Sequence, residues 1–257
     1  MQFFKVAMLV VMIVSIVVGC AHKKPKQSYR DEIDSLLNRL SQVAGKSGDG
    51  VFTSAPSSED RQDVRDSVLR IAKQTPETRS EVIEVLLQIV NDPKARDEFP
   101  IAYRWTMAVD LLGELRATEA IDVLIRNLDR TGGNGLIISP SYRPVAEALA
   151  KIGEPAIPQL IEALASNDED IRYEAELALA EMGKPAKPRM LEALEQGDAR
   201  IRGKVALVLA YIGGEDARAA IERAIEREED RKVRQEIKEA LIEMHSVWGA
   251  AASRVRR

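Results

Sequence analysis

Residues 147–164 read EALAKIGEPAIPQLIEAL, the clearest copy of an internal repeat. Thirty residues further on, 177–194 reads LALAEMGKPAKPRMLEAL, and after another thirty, 207–222 reads LVLAYIGGEDARAAIE. A looser copy occupies 111–128. Self-similarity at a fixed period of this length is typical of repeat architectures, in which every copy is one supersecondary unit.

Each copy consists of two short apolar segments separated by glycine or proline. Gly153 ends the first segment, because glycine adopts the left-handed conformation of a helix C-terminus at little cost. Pro155 lies near the start of the second segment, where a helix loses no amide partner. The second segment has apolar residues at helical spacing, namely Ile157, Leu160, Ile161 and Leu164. One such pair cannot bury its apolar faces alone, so the repeats predict an all-α solenoid of stacked helix pairs.

The first segments share an opening motif, an aspartate followed by a β-branched residue and an arginine. It occurs as Asp60-Asp63-Val64-Arg65, Asp168-Ile171-Arg172, Asp198-Ile201-Arg202 and Asp230-Val233-Arg234. This opening, with a Gly-x-Pro-Ala middle, resembles HEAT repeats, especially the short HEAT-like type of the phycobilisome lyases. The resemblance is strong over 104–243 and weaker over 60–91. It implies an ARM-type superhelix of five to six helix pairs, the last one degenerate, with an Asp–Arg ladder between successive repeats.

The N-terminus has the features of an exported protein. Lys5 precedes an apolar run over 6–18, which is shorter than the roughly 20 residues a spanning helix needs. Val17, Val18, Gly19 and Cys20 resemble the lipobox of bacterial lipoproteins. That resemblance implies cleavage before Cys20 and a covalent lipid on its thiol. An ordinary signal peptide, or an uncleaved anchor with a chance cysteine, is the alternative interpretation.

The resulting domain division has three parts. Residues 1–19 are predicted to be a lipoprotein signal peptide, and 59–257 a HEAT-repeat solenoid. Between them, 20–58 is predicted to be a lipid-anchored tether with a short helix over 29–43 and a Gly/Ser-rich linker from Ala44 to Ser58. The linker would let the solenoid swing from its anchor. In Gram-negative lipoproteins an aspartate directly after the lipidated cysteine is associated with inner-membrane retention. This chain has Ala21 at that position, which favours the outer membrane.

Two groups of residues are candidates for binding a partner. Glu162, Glu192 and Glu222 repeat with the 30-residue period and predict a ladder along the second helices. That ladder is either an acidic strip for a basic partner or the solvent face of amphipathic helices. Leu136, Ile137 and Ile138 lie in a Gly-rich insertion, and insertions in solenoids often lie on the binding face. The alternative is that these three residues pack over the repeat core.

The composition argues against several enzymes and ligands. The chain has 257 residues, a formal net charge of −4, two histidines and one cysteine, which argues against nucleic acid, disulfides and a metal centre. It lacks the helical His-Glu pairs of HEAT-like deoxyhypusine hydroxylases, and it lacks the basic charge and clustered aromatic residues of HEAT-like DNA glycosylases. His245 is a surface or packing residue in this interpretation, not a catalytic base.

These features together predict a non-catalytic lipoprotein of the bacterial cell envelope, on the periplasmic or extracytoplasmic face of a membrane. Its HEAT-repeat solenoid is predicted to be a scaffold for a protein or peptide partner. No cofactor, metal or nucleic acid is expected beyond the lipid on Cys20. The alternative function is a HEAT-like lyase or chaperone-type enzyme related to the phycobilin lyases.

Overall fold

A computed structural model of the protein describes residues 26–43, 56–93, 101–129 and 143–255. These residues form helices, joined by turns, and contain no strand. In chain order the helices are α1 (Lys26–Val43), α2 (Ser58–Ala72), α3 (Pro76–Asn91), α4 (Ile101–Glu114), α5 (Ile121–Arg126), α6 (Pro144–Ile152), α7 (Ile157–Ala163), α8 (Glu169–Met182), α9 (Lys187–Gln196), α10 (Ala199–Ile212), α11 (Glu215–Arg227) and α12 (Arg231–Val255). Short 3₁₀ turns at Thr118–Ala120 and Glu154–Ala156 lead into α5 and α7.

The helices form two stacked layers. The first helices α2, α4, α6, α8, α10 and α12 pack successively on one another, and the second helices α3, α5, α7, α9 and α11 form a parallel series. Each second helix also packs against the first helix that follows it. Five helix pairs therefore lie between α1 and α12 in the described part of the chain. The predicted all-α solenoid is confirmed.

Glycines end three of the first helices, as the sequence predicts. Gly153, Gly183 and Gly213 have φ of +86°, +63° and +75°, and their amides donate to carbonyls four residues earlier. The looser copy differs. Gly113 lies inside α4, and the left-handed residue is Arg116, with φ of +47°.

Gly113 has a different structural task from the other repeat glycines. A Cβ atom on Gly113 would lie 2.7 Å from the Cα atom of Ala148 in α6. Only a residue without a side chain permits α4 and α6 to approach this closely. Gly113 therefore permits close packing between repeats, and Arg116 is the left-handed residue that follows α4.

The aspartates of the opening motif cap the first helices. The side chains of Asp168, Asp198 and Asp230 accept hydrogen bonds from amides in the first turns of α8, α10 and α12. The arginines of the same motif donate to carbonyls that precede their own helices, Arg172 to Ser166, Arg202 to Gly197 and Arg234 to Glu228. In these bonds the motif fixes the turn into each first helix.

Helix α1 packs against the first repeat. Ile33 and Leu37 are fully buried and Leu40 nearly so, among contacts with α2, α3 and α4. Arg104 of α4 donates to Asp34 at 2.5 Å, and Arg30 donates to Gln88 at 2.7 Å. The sequence pattern predicts this helix as part of the tether, outside the solenoid. Its apolar stripe instead joins it to the solenoid, because an isolated amphipathic helix leaves such a stripe in water.

Candidate protein-binding surface

The predicted glutamate ladder lies on the second-helix layer. Glu162, Glu192 and Glu222 are exposed, on α7, α9 and α11. Two of them are already in ion pairs on their own helices. Arg189 lies 3.0 Å from Glu192, and Arg218 lies 2.9 Å from Glu222. These arginines reduce the negative potential of the ladder, which weakens it as an acidic strip.

The other predicted site residues lie outside the described residues. They are the lipobox residues Val17, Val18 and Gly19, the lipidation candidate Cys20, and the insertion residues Leu136, Ile137 and Ile138. Among the described helices, none has both the length and the apolarity required to cross a bilayer. His245 is exposed on α12, and the described residues contain no group of three or more His, Cys, Asp or Glu side chains placed to hold a metal ion.

Arg143, which immediately precedes α6, is held by two residues of α8. Its guanidinium forms an ion pair with Glu174, whose side chain is 3% exposed. It also lies 4.8 Å from the centroid of the Tyr173 ring, a cation–π geometry. Glu174 can be buried as a carboxylate because Arg143 neutralises it. This contact fixes the start of α6 against the next first helix.

The structure shows a surface that the sequence analysis missed. Tyr173 on α8 and Tyr211 on α10 are 48% and 45% exposed, although large aromatic side chains are usually buried more deeply. Leu177, one turn after Tyr173, and Leu207, one turn before Tyr211, are partly buried. We call these four residues the first-helix tyrosine surface. It lies on the first helices, whereas the glutamate ladder lies on the second helices.

Charged residues surround this surface. Glu176 is one turn from Tyr173, Lys204 is two turns before Tyr211, and Glu243 is on α12. Burial raises the pKa of the Tyr211 hydroxyl, and the carboxylates of Glu243 and Glu176 and the Tyr173 hydroxyl raise it further. Burial also raises the pKa of Glu176, against the opposing effect of Lys204 and Arg172.

Comparison of equivalent positions in successive repeats identifies these two tyrosines from the sequence. Tyr211 occupies the position of Glu181 in the preceding repeat and of Glu243 in α12. Tyr173 occupies the position of Gly203. An aromatic side chain where these copies have glutamate or glycine is not required by the repeat core. Such a residue marks a surface of one repeat only.

A second polar feature joins the last repeats. Arg202 of α10 donates to both carboxylate oxygens of Glu228, at 2.6 and 2.8 Å, and Glu228 also accepts from the Asp230 amide at 3.0 Å. The hydrogen bonds from Arg202 have the largest effect on the pKa of Glu228 and, with the bond from the Asp230 amide, hold it below its ordinary value, although burial alone raises it. The pair borders a cleft of about 260 Å³ beside Arg227. The hydrogen bonds of the pair join α10 and the turn before it to the turn between α11 and α12, so we interpret the pair as structural.

Family profiles identify the repeats. The profile described as HEAT repeats matches residues 157–242, and the profile described as PBS lyase HEAT-like repeat matches residues 145–166. The chain contains HEAT-like repeats. The matched residues run from α6 to α12 and include Tyr173 and Tyr211. No curated protein matches the chain.

Several solved structures are similar at low identity. The archaeal HEAT-like repeats protein from Thermococcus onnurineus NA1 is 15% identical, covers 88% of this chain and 99% of its own, and has a TM-score of 0.34. Human deoxyhypusine hydroxylase in complex with glycerol is 15% identical over 86% of this chain and 98% of its own, with a TM-score of 0.31. A designed armadillo repeat protein in complex with the peptide (KR)4 is 15% identical over 83% and 99%, with a TM-score of 0.30.

Proposed function

We propose that this protein is a lipid-anchored, non-catalytic scaffold whose solenoid binds a protein partner in the bacterial cell envelope. The observation that carries the binding part is the pair of half-exposed tyrosines, Tyr173 and Tyr211, on neighbouring first helices. Tyrosine is enriched in protein interfaces, because it contributes a large, stiff contact area and a polar tip. The solenoid holds both rings on regular helices and so fixes their positions before binding.

The anchor part of the proposal rests on the N-terminal sequence. Val17-Val18-Gly19-Cys20 places a cysteine where the signal sequence would be cut. The buried methylenes of acyl chains on Cys20 would each contribute about 0.8 kcal/mol, and two or more chains hold a protein on a bilayer stably. An exported protein lies in an oxidising compartment, and lipid on the one cysteine of this chain would leave it without a free thiol there.

The packing of α1 changes how the solenoid relates to this anchor. Because α1 packs against the first repeat, the linker predicted from Ala44 to Ser58 follows α1 in the chain and is not what separates the solenoid from the lipid. Only the chain from Cys20 to Lys26 remains as a tether. Six peptide steps span at most about 22 Å. The proposed scaffold is therefore held with its N-terminal end close to the bilayer.

Two measurements test this proposal, one for the anchor and one for the scaffold. The intact mass of the full chain, expressed in a bacterium that processes lipoproteins, should correspond to cleavage before Cys20 plus a diacylglycerol and an acyl chain. Cys20→Ser should abolish both changes. An unmodified Cys20 in the wild-type protein would contradict the anchor.

For the scaffold, a photo-crosslinking amino acid is placed at position 173 or 211 in the full chain and activated in intact cells. We expect a discrete crosslinked protein from these positions. The matched control is position 80, because Ser80 is exposed on α3, away from the first-helix tyrosine surface. No crosslink from 173 or 211, or the same products from position 80, would contradict a partner on this surface.

A further inference from the structure

The charges around the first-helix tyrosine surface define the kind of partner group it suits. Tyr173 already has a cation on its ring, the Arg143 guanidinium at 4.8 Å. Tyr211 has an exposed ring of the same type, and its hydroxyl experiences the carboxylates of Glu243 and Glu176. An aromatic face attracts a cation through its quadrupole, and nearby carboxylates add to that attraction.

The register of α10 and α12 places Glu243 beside Tyr211. A Cβ atom on Gly203 would lie 2.8 Å from the Cβ atom of Glu236, so these two residues face each other across the two first helices. Seven residues after Glu236 is Glu243, and eight after Gly203 is Tyr211. Seven residues advance a helix by about two turns, so the next contact along this interface brings Glu243 to Ala210, seven residues after Gly203, and to Tyr211 directly beside it in the chain.

The opposite side of Tyr211 is formed by α8. Tyr173 and Glu176 are three residues apart and share a face of that helix. Glu176 already experiences Lys204 and Arg172, which offset its charge. Glu243 is therefore the carboxylate on which a cation at Tyr211 would chiefly depend.

We propose that the first-helix tyrosine surface binds an arginine- or lysine-bearing segment of a partner protein, with the cationic group over the Tyr211 ring and beside Glu243. This inference rests on the proposed function, since it names the chemistry of the partner of the same scaffold. Leu207, one turn before Tyr211, and Leu177, at the equivalent position of α8, are partly buried apolar side chains that the methylene stem of an arginine or lysine can contact. An acidic segment would be repelled by Glu243.

The test uses fluorescence anisotropy of a fluorescein-labelled arginine-rich peptide titrated with the full-length protein in detergent. The control peptide has citrulline in place of every arginine, which keeps the shape and removes the charge. Tyr211→Ala and Glu243→Gln should each weaken binding of the arginine peptide by roughly threefold to tenfold, the size expected for a cation–π or ion-pair contact. Tyr211→Phe should bind like wild type because it keeps the ring. Glu226→Gln, exposed on α11, is the matched control and should bind like wild type. Glu192→Gln, in the glutamate ladder, tests the rival acidic strip and should also bind like wild type.

The proposal is overturned if the citrulline peptide binds as tightly as the arginine peptide, if the wild type binds neither, or if Glu192→Gln weakens binding while Tyr211→Ala does not. Thermal melts of each variant, followed by circular dichroism, should show that it is folded, and the pair of Phe and Ala substitutions separates ring loss from unfolding. The two proposals fail separately. If a partner is crosslinked from position 173 and Tyr211→Ala does not reduce that crosslink, the scaffold stands and the cation site is refuted. If the protein is not lipidated, the anchor is refuted and the peptide titration is unaffected.

Discussion

Glu228 shows how one side chain can fix the turn between two repeats. Its carboxylate accepts two bonds from Arg202 and one from the Asp230 amide, and its carbonyl accepts from Arg234. The Glu228 side chain is 4% exposed and that of Arg202 is 25% exposed. A charge buried to this degree is tolerated only while its partner is present, so the two residues depend on each other.

Removing the arginine should therefore destabilise the solenoid strongly. We expect Arg202→Met to lower the free energy of unfolding by about 3 kcal/mol, because Glu228 is left buried without its counter-charge. The double variant with Glu228→Leu should recover part of the loss, since it removes the uncompensated carboxylate. Urea denaturation measures both. A double variant as unstable as the sum of the single ones would show that the pair is not coupled.

The same carboxylate predicts how stability depends on pH. Its folded-state pKa lies below the ordinary value of 4.5, so the unfolded chain takes up the proton first on acidification. Its contribution is complete above the unfolded pKa and is lost as the pH falls through the folded pKa. Glu228→Gln should therefore reduce the fall in melting temperature between about pH 5 and pH 3. Glu192→Gln, an exposed site, is the control, and equal slopes in wild type and Glu228→Gln would contradict this.

Arg116 is the one described non-glycine residue with positive φ, at +47°. A side chain in the left-handed region costs about 1 kcal/mol, which glycine avoids. We expect Arg116→Gly to raise the free energy of unfolding by several tenths of a kcal/mol, after allowance for the greater entropy of the unfolded chain. Gly183→Ala, at φ of +63°, is the mirror experiment and should destabilise. A loss of stability in Arg116→Gly would mean that its side chain has a compensating contact.

Individual elements differ in how far the sequence predicts them. The helix pairs of 144–227 follow from a 30-residue period, with glycine at a fixed place in all three copies and proline after it in the first two. The same rule mislocates the end of α4, because Gly113 serves close packing with Ala148 and not chain reversal. The packing of α1 and the tyrosine surface are tertiary facts. A helix pattern shows that α1 has an apolar stripe, but not which helices cover it, and exposure of Tyr173 and Tyr211 depends on which faces the neighbouring repeats bury.

Helix α1 should contribute to the stability of the solenoid if it is part of it. Leu37 is fully buried. Leu37→Ala should lower the free energy of unfolding by about 2 to 5 kcal/mol, the usual range for a buried leucine truncated to alanine. Ser35→Ala, on the exposed side of α1, is the matched control and should have little effect. An unchanged melting temperature in Leu37→Ala would show that α1 is released from the first repeat in solution.

Across the whole chain, polar contacts join neighbouring repeats as well as apolar packing. Arg65 donates to Glu114 at 2.9 Å, Gln159 to Asp122 at 2.7 Å, and Lys187 to Asp216 at 2.9 Å. Each links elements of successive repeats, so stability is spread along the array as nearest-neighbour terms. The described first helices therefore form one continuous stack, in which α12 lies five packing steps from α2, each of about 9 Å along the layer.

This arrangement gives the proposed anchor a measurable consequence. Position 35 on α1 should lie near the bilayer, because only the chain from Cys20 to Lys26 separates α1 from the lipid. Since Cys20 would be blocked by lipid, Ser35→Cys or Ser246→Cys supplies the one reactive thiol for a fluorophore. In vesicles with acceptor-labelled lipid, energy transfer should be high at position 35. Inserting a long Gly/Ser segment after Pro25 should reduce that transfer sharply, because the tether then no longer limits the distance. Energy transfer at position 246 measures how far α12 lies from the bilayer. Low transfer at position 35, or transfer there that ignores the insertion, would show that α1 is not held at the membrane by this short tether.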